Sequence, residues 1–246
     1  MKILVHSSYE SLSRQAARET IDAMRGRPGS LLCVASGDSP AGLYKEMIEI
    51  IRKENPDISS WNFIGLDEWI PMNENDEGSC RYWLDRQLFN PLGIENKAIC
   101  FFNGGSEDPA GECDRAEIFI KEKGGIDMAI LGLGLNGHIG MNEPGTPENS
   151  RAHVAKLDTL TKQTAQKYFS QIQELDEGLT LGLATLMESR HIQLIVSGKH
   201  KASIVKKIVE EETSTALPGS LLRKHPSCTL HLDKEAASLL QLTWND

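Results

Sequence analysis

The chain has 246 residues, 39% hydrophobic and 25% charged, which is the ordinary balance of a globular protein able to bury a sizeable core. Its formal net charge of -9 has the wrong sign for nucleic acid, which needs a basic surface that releases counterions, although a few local N–H groups and cations are still enough to hold a small anion. No apolar run approaches the ~18–20 residues of a transmembrane helix, and Met1–His6 is followed by Ser7 and Ser8 rather than by the hydrophobic region and small-residue cleavage site of a signal peptide.

A cytoplasmic protein without membrane or nucleic-acid partners is therefore expected. The five cysteines, Cys33, Cys80, Cys100, Cys113 and Cys228, are odd in number and never spaced Cys-x-x-Cys, so they read as free thiols rather than a zinc site or a disulfide framework.

Short apolar runs alternate with amphipathic segments along the whole chain. The predicted strands are Ile3–His6, Leu31–Ala35, Asn62–Leu66, Ala98–Phe102, Asp127–Leu131, His191–Val196 and Cys228–His231. The predicted helices between them are Tyr9–Arg25, Ala41–Lys53, Ser79–Phe89, Ala110–Lys121, Thr161–Phe169 and Lys201–Val209. Near-continuous apolar strands that alternate with helices predict one α/β domain over residues 1–246: a Rossmann-like, doubly wound, mostly parallel sheet with helices on both faces. Ligands of such sheets sit beyond the carboxyl ends of the strands, so the polar residues after each strand carry the functional information.

Four strand ends stand out. Ser36-Gly37-Asp38-Ser39-Pro40 runs into a helix, where backbone N–H groups and the helix dipole suit an anion; it is neither a Walker loop nor a dinucleotide fingerprint. The same turn also reads as a simple helix cap, and Asp38 opposes an anion. Asp67-Glu68-Trp69 puts two adjacent acids at a strand end. Their side chains point to opposite faces, so one can enter a cleft as a general base while the other orients it or caps a helix.

The segment Gly132-Leu133-Gly134-Leu135-Asn136-Gly137-His138-Ile139-Gly140-Met141-Asn142-Glu143-Pro144-Gly145 sets one imidazole among glycines, amides and a carboxylate. His138 can exchange protons near neutral pH if a second group fixes its tautomer, and Glu143 is the candidate for that role. In Ser197-Gly198-Lys199-His200-Lys201 the lysines either reach a phosphate or are solvated, and local residues alone favour solvation.

Taken in order, these motifs resemble the amino-sugar-6-phosphate isomerase/deaminase family, typified by glucosamine-6-phosphate deaminase, across nearly the whole chain. The resemblance implies that Asp67 moves a proton between C2 and C1 and that His138 drives ring opening, with Glu143 and Asn136 holding it. It further implies that Ser36, Gly37, Asp38, Ser39, Lys201 and Lys167 hold the phosphate of an amino-sugar 6-phosphate, with no metal and no cofactor. Whether the chain forms a homo-oligomer is left open.

Several positions depart from the family's pattern. Asn136 stands where Asp is frequent, Lys167 where arginine would give a bidentate fork, and Asp38 where Gly or Ala is common. The basic pair that helps bind an effector in allosteric members would fall on His153 and Ala155, and those members' carboxyl-terminal extension has no counterpart, so no comparable allosteric control is expected.

Trp69 and Gly78-Ser79-Cys80 look closer to the galactosamine-6-phosphate isomerase branch. Two other functions share features with the chain: a 6-phosphogluconolactonase-type hydrolase, which usually carries Asp-Glu-Arg and lacks Asn-Glu-Pro after the histidine, and a non-catalytic sugar-phosphate sensor.

Overall fold

The computed structural model describes residues 1–25 and 27–241. In chain order the elements are β1 (Lys2–His6), α1 (Tyr9–Arg25), β2 (Leu31–Val34), α2 (Asp38–Glu54), β3 (Asn62–Gly65), β4 (Asp67–Trp69), α3 (Cys80–Leu84), α4 (Asn90–Leu92), β5 (Ile99–Cys100) and α5 (Pro109–Glu122). They continue with β6 (Met128–Gly132), β7 (His153–Lys156), α6 (Thr159–Ala165), β8 (Glu177–Thr180), α7 (Leu183–Met187), β9 (His191–Val196), α8 (Ala202–Glu210), α9 (Pro218–Leu221) and β10 (Cys228–Asp233).

Seven strands form one parallel sheet in the order β1-β10-β9-β6-β2-β3-β5. Alternation along each strand divides the core in two. In β2, Leu31 and Cys33 join one cluster with Cys113, Ala116 and Ile120 of α5 and Val205 and Ile208 of α8. Leu32 and Val34 face the other way, onto Leu12, Ala16 and Ile21 of α1 and Leu43 and Met47 of α2. Helices therefore cover both faces. From β2 the chain steps outward through β3 to β5, and from β6 it steps the opposite way through β9 to β10. The β2/β6 boundary is thus the point where the winding reverses, the usual place for a ligand crevice.

The first helix and the strand His191–Val196 agree with the sequence reading in both bounds, and several other boundaries differ for identifiable reasons. The predicted helix Ser79–Phe89 is α3 followed by a π-turn at Asp85–Phe89, in which Asn90 N–H reaches back to the Asp85 carbonyl. Pro91 has no N–H to give the Gln87 carbonyl four residues back, so the regular ladder cannot run through this point. Of the predicted strand Ala98–Phe102 only Ile99–Cys100 pairs, as the edge strand beside β3. The helix expected over Thr161–Phe169 starts earlier, where Asp158 accepts Leu160 N–H at 2.8 Å, and closes with a 3-10 turn at Gln166–Tyr168. The helix expected from Lys201 is α8, preceded by a 3-10 turn at Lys199–Lys201.

A second sheet, β4-β8-β7, goes beyond the predicted elements; it is antiparallel, with Asp67 opposite Thr180 and Glu68 opposite Leu179. Its strands are three or four residues long with no sustained alternation, too short to stand out from a turn. Leu66 joins the two sheets: its N–H donates to Val34 O at 2.9 Å, and its carbonyl accepts Leu181 N–H at 2.9 Å.

The turn after β8 leaves no room for a side chain at Gly182, where a Cβ would lie 2.1 Å from the Ser150 carbonyl oxygen and 2.2 Å from that of Arg151. These are backbone atoms that cannot swing aside. Gly182→Ala should lower the unfolding free energy by roughly 2–3 kcal/mol, read as a reduced denaturant midpoint at unchanged slope.

Candidate active site

A cavity of about 320 Å³ opens at the carboxyl ends of β2, β3, β6 and β9. Of the residues singled out from sequence, Ser36, Gly37, Asp38, Ser39, Asp67, His138, Lys167 and Lys201 line it together. Asn136 and Glu143 are not in its wall; they stand behind His138. His153 and Ala155 lie on β7, outside it.

The β2–α2 turn is shaped for an anion. Gly37 is the N-cap of α2 at φ 109°, and no side chain caps the helix, so the hydroxyls of Ser36 and Ser39 are not used up as caps. Tyr9 braces the turn from α1. Its hydroxyl lies 2.8 Å from Asp38 O and 3.0 Å from Ser39 O and accepts Gly42 N–H at 2.8 Å.

The two adjacent acids separate as the pleat requires. Glu68 is fully buried and turns away from the cavity, accepting N–H groups from Trp69 (2.9 Å), Cys80 (2.9 Å) and Arg81 (3.0 Å). Burial pushes its carboxyl up to about 7 against the pull of those donors. Asp67 faces the cavity, and burial raises its carboxyl to about 6, with the Cys80 thiol and the His138 ring drawing it part of the way back. That is the range in which a carboxylate is both ionised at neutral pH and basic enough to take a carbon-bound proton with help.

Gly134 makes the histidine's position possible: a Cβ there would fall 2.4 Å from three atoms of the His138 ring. On the far side of the ring, Nδ1 lies 3.1 Å from Thr161 Oγ1 and 3.4 Å from Glu143 Oε2. The Asn136 amide donates to Glu143 Oε2 at 2.8 Å, while its own oxygen accepts His138 N–H at 3.2 Å. Glu143 Oε1 accepts Asp158 N–H at 3.2 Å. Burial works to raise the Glu143 carboxyl, but His138, Thr161 and Asn136 hold it at about 2, so it is an anion throughout the neutral range. An anion beside Nδ1 favours the tautomer with its proton there, which turns a bare Nε2 to the cavity. Asn136 is therefore a brace for Glu143 rather than an ionic partner of the histidine.

Lys201 enters from the turn after β9 and donates to Leu133 O at 2.5 Å. It is not solvated, as its local sequence suggested, but largely enclosed, and burial together with the neighbouring Lys167 brings its ammonium down to about 8. Lys167 is ion-paired with Asp38.

Several lining residues had no catalytic signal in the sequence. Cys80, Thr161, Tyr168 and His200 belong to the wall. The Cys80 thiol, driven well above its usual range by burial, sits between Asp67 and Ser36. Gly78-Ser79-Cys80 had stood out only as a branch marker, and nothing in the helical pattern of residues 159–168 tells which face turns to the site.

A family model described as "Glucosamine-6-phosphate isomerases/6-phosphogluconolactonase" matches residues 6–230, and the chain belongs to that family. A glucosamine-6-phosphate deaminase of Geobacillus sp. (strain WCH70) is 37% identical over 241 residues, covering 98% of this chain and 96% of the relative. A solved monomeric glucosamine-6-phosphate deaminase superposes with a TM-score of 0.94 at 36% identity, covering 98% of this chain and 100% of that one. The 6-phosphogluconolactonase from Trypanosoma cruzi superposes at 0.76 with 19% identity, covering 98% of this chain and 97% of its own, and shares the fold.

The raised carboxyl of Asp67 has a cost in stability. Its folded value of about 6 exceeds the ordinary 3.8, so between these pH values the folded chain binds more protons than the unfolded one, and stability falls as pH rises through that window. Above pH ~6 the full penalty remains. Asp67→Asn should therefore melt higher than the parent at pH 7–8, by about 1–2 kcal/mol after allowing for the side chain's opening to the cavity, with the difference vanishing below pH ~4.

Proposed function

We propose that the chain is an enzyme that isomerises and deaminates glucosamine 6-phosphate to a ketose 6-phosphate and ammonia. The observation that carries this reading is the pairing, in one cavity, of a carboxylate raised to about 6 with an imidazole backed by an anion, beside an uncapped helix N-terminus and two lysines. Curated relatives named glucosamine-6-phosphate deaminase, 34–38% identical over nearly the full chain, point the same way.

In this reading the phosphate rests on residues 36–39 with Lys201 and Lys167, and its binding energy positions the sugar. Nε2 of His138 takes the proton of the anomeric hydroxyl and delivers it to the ring oxygen as the bond between C1 and that oxygen breaks, and Glu143 stabilises the imidazolium that forms in transit. Asp67 then takes the proton from C2 of the open aldehyde and returns it to C1, through an enol-type intermediate. The resulting C2 imine adds water and breaks to the ketone and ammonia. Each proton transfer by a positioned group contributes about 10²- to 10⁴-fold.

The lactonase alternative has less support, because Trp69 follows Glu68 and Asn142-Glu143-Pro144 follows the histidine loop, and the lactonases among the solved structures share no more than the fold at 15–19% identity. A second substrate arm is warranted by Trp69, whose indole lines the cavity and packs edge-on against Phe169 at 6.4 Å.

Ammonia release from glucosamine 6-phosphate and galactosamine 6-phosphate, measured in parallel, tests the reading. Release from the gluco epimer is expected, preference for the galacto epimer would reassign the substrate, and no release from either would refute the reaction. Asp67→Asn should remove turnover by more than about 10³-fold while phosphate affinity stays near that of the parent. Because the base must be ionised, kcat/KM should fall tenfold per pH unit below about 6, the value at which the Asp67 carboxyl takes up its proton.

A further inference from the structure

The mouth of the cavity holds a charge pairing that the proton transfers do not need. Asp38 is the first residue of α2, and Lys167 belongs to the 3-10 turn after α6; their side chains form an ion pair between segments 129 positions apart. The pair fastens the β2–α2 turn to the wall formed by residues 160–168. Tyr168 strengthens that fastening: its hydroxyl lies so close to Gly37 that a Cβ there would be 3.0 Å from it, and the Lys167 ammonium sits 4.8 Å from its ring centroid. Lys201 approaches the same opening from β9.

Two ammonium groups and one carboxylate thus face one small space, a local charge far below that of a pair of free lysines. A sugar phosphate near neutral pH carries about -1.5 to -2. It would take both lysines to offset that charge, and one of them is already engaged. Asp38 itself is well placed energetically without Lys167, because a carboxylate in the first turn of a helix is favoured by the helix dipole.

We propose that Asp38 is an intramolecular competitor of the substrate's phosphate: its carboxylate holds Lys167, and an incoming phosphate must take Lys167 from it. The inference rests on the reading that the backbone N–H groups of residues 37–39, the Ser36 and Ser39 hydroxyls, Lys167 and Lys201 receive the phosphate, the Asp38 carboxylate taking no part in holding it. Both partners are substantially exposed, 50% for Lys167 and 73% for Asp38, so the pair is weak and salt-sensitive, and substrate displaces it readily. Asp38 touches none of the reacting atoms. Its influence falls equally on bound substrate and on the transition state, so it sets KM and leaves kcat alone.

The test is calorimetric titration of inorganic phosphate, alongside steady-state kinetics, on the parent, Asp38→Asn, Asp38→Ser, Lys167→Gln and the double variant Asp38→Asn/Lys167→Gln. Removing the carboxylate should tighten phosphate binding and lower KM about three- to tenfold at low salt, with kcat within about twofold and the gain shrinking near 0.5 M salt. In the Lys167→Gln background the gain should shrink to the part that comes from direct repulsion between Asp38 and the anion, because the competition has lost its object. Unchanged or weaker affinity in both Asp38 variants would overturn the inference, as would an equal gain with and without Lys167. If the parent itself neither binds phosphate nor releases ammonia, the functional reading fails and takes the inference with it; a parent that binds phosphate, with Asp38 variants that do not differ, sinks the inference alone.

Discussion

The carboxylate of Glu68 accepts three backbone N–H groups, one from its own strand and two from the first turn of α3. That set of hydrogen bonds ties β4 to a helix eleven residues further along the chain and fixes the rotation of the strand about its axis. Because neighbouring side chains in a strand point oppositely, fixing Glu68 inward leaves Asp67 directed into the cavity with no freedom to turn away. It also brings the Cys80 thiol up against Asp67. A buried acid that faces away from the cavity thereby decides where the proposed base stands, and the enclosure that raises the Asp67 carboxyl is built by the same contact.

His138 is held by a comparable arrangement of supporting groups. Gly134 gives the ring its place, Thr161 and Glu143 hold one nitrogen, and Asn136 and the Asp158 N–H hold Glu143. An aspartate at position 136 would set a second negative charge beside Glu143, whereas the amide donates a hydrogen bond to it. The substitution that looked like the loss of an ionic partner therefore keeps the anion behind the imidazole in place by other means.

The parallel sheet was legible because its strands are apolar runs between amphipathic helices, a pattern that survives without tertiary information. The strand-end acids and the glycine-rich loop were legible by their place directly after apolar strands and by their order along the chain, since the same residue types taken singly are ordinary in turns. What stayed hidden was of two kinds. β4, β7 and β8 carry no periodicity of their own and exist because each pairs with a distant segment, as Asp67 does with Thr180. Thr161, Tyr168 and Cys80 reach the cavity through the packing of α6 and α3, which no local pattern encodes. Lys201 was misjudged from its neighbours, since Lys199 and His200 read as a solvated run while the third member of the group turns inward onto Leu133.

Leu66 is where the parallel sheet ends and the antiparallel one begins, bonded to Val34 on one side and Leu181 on the other. The pair proposed to move protons straddles this seam: His138 follows a strand of the large sheet, while Asp67 opens a strand of the small one. The segment between β7 and β8, residues 157–176, contributes Thr161, Lys167 and Tyr168 among others to the cavity wall but carries neither Asp67 nor His138. Leu66 itself is held by backbone hydrogen bonds to Val34 and Leu181, so the joint between the two sheets does not depend on the side chains of that wall. Within this architecture, one wall of the ligand space and the two groups proposed to move protons lie on separate parts of the chain.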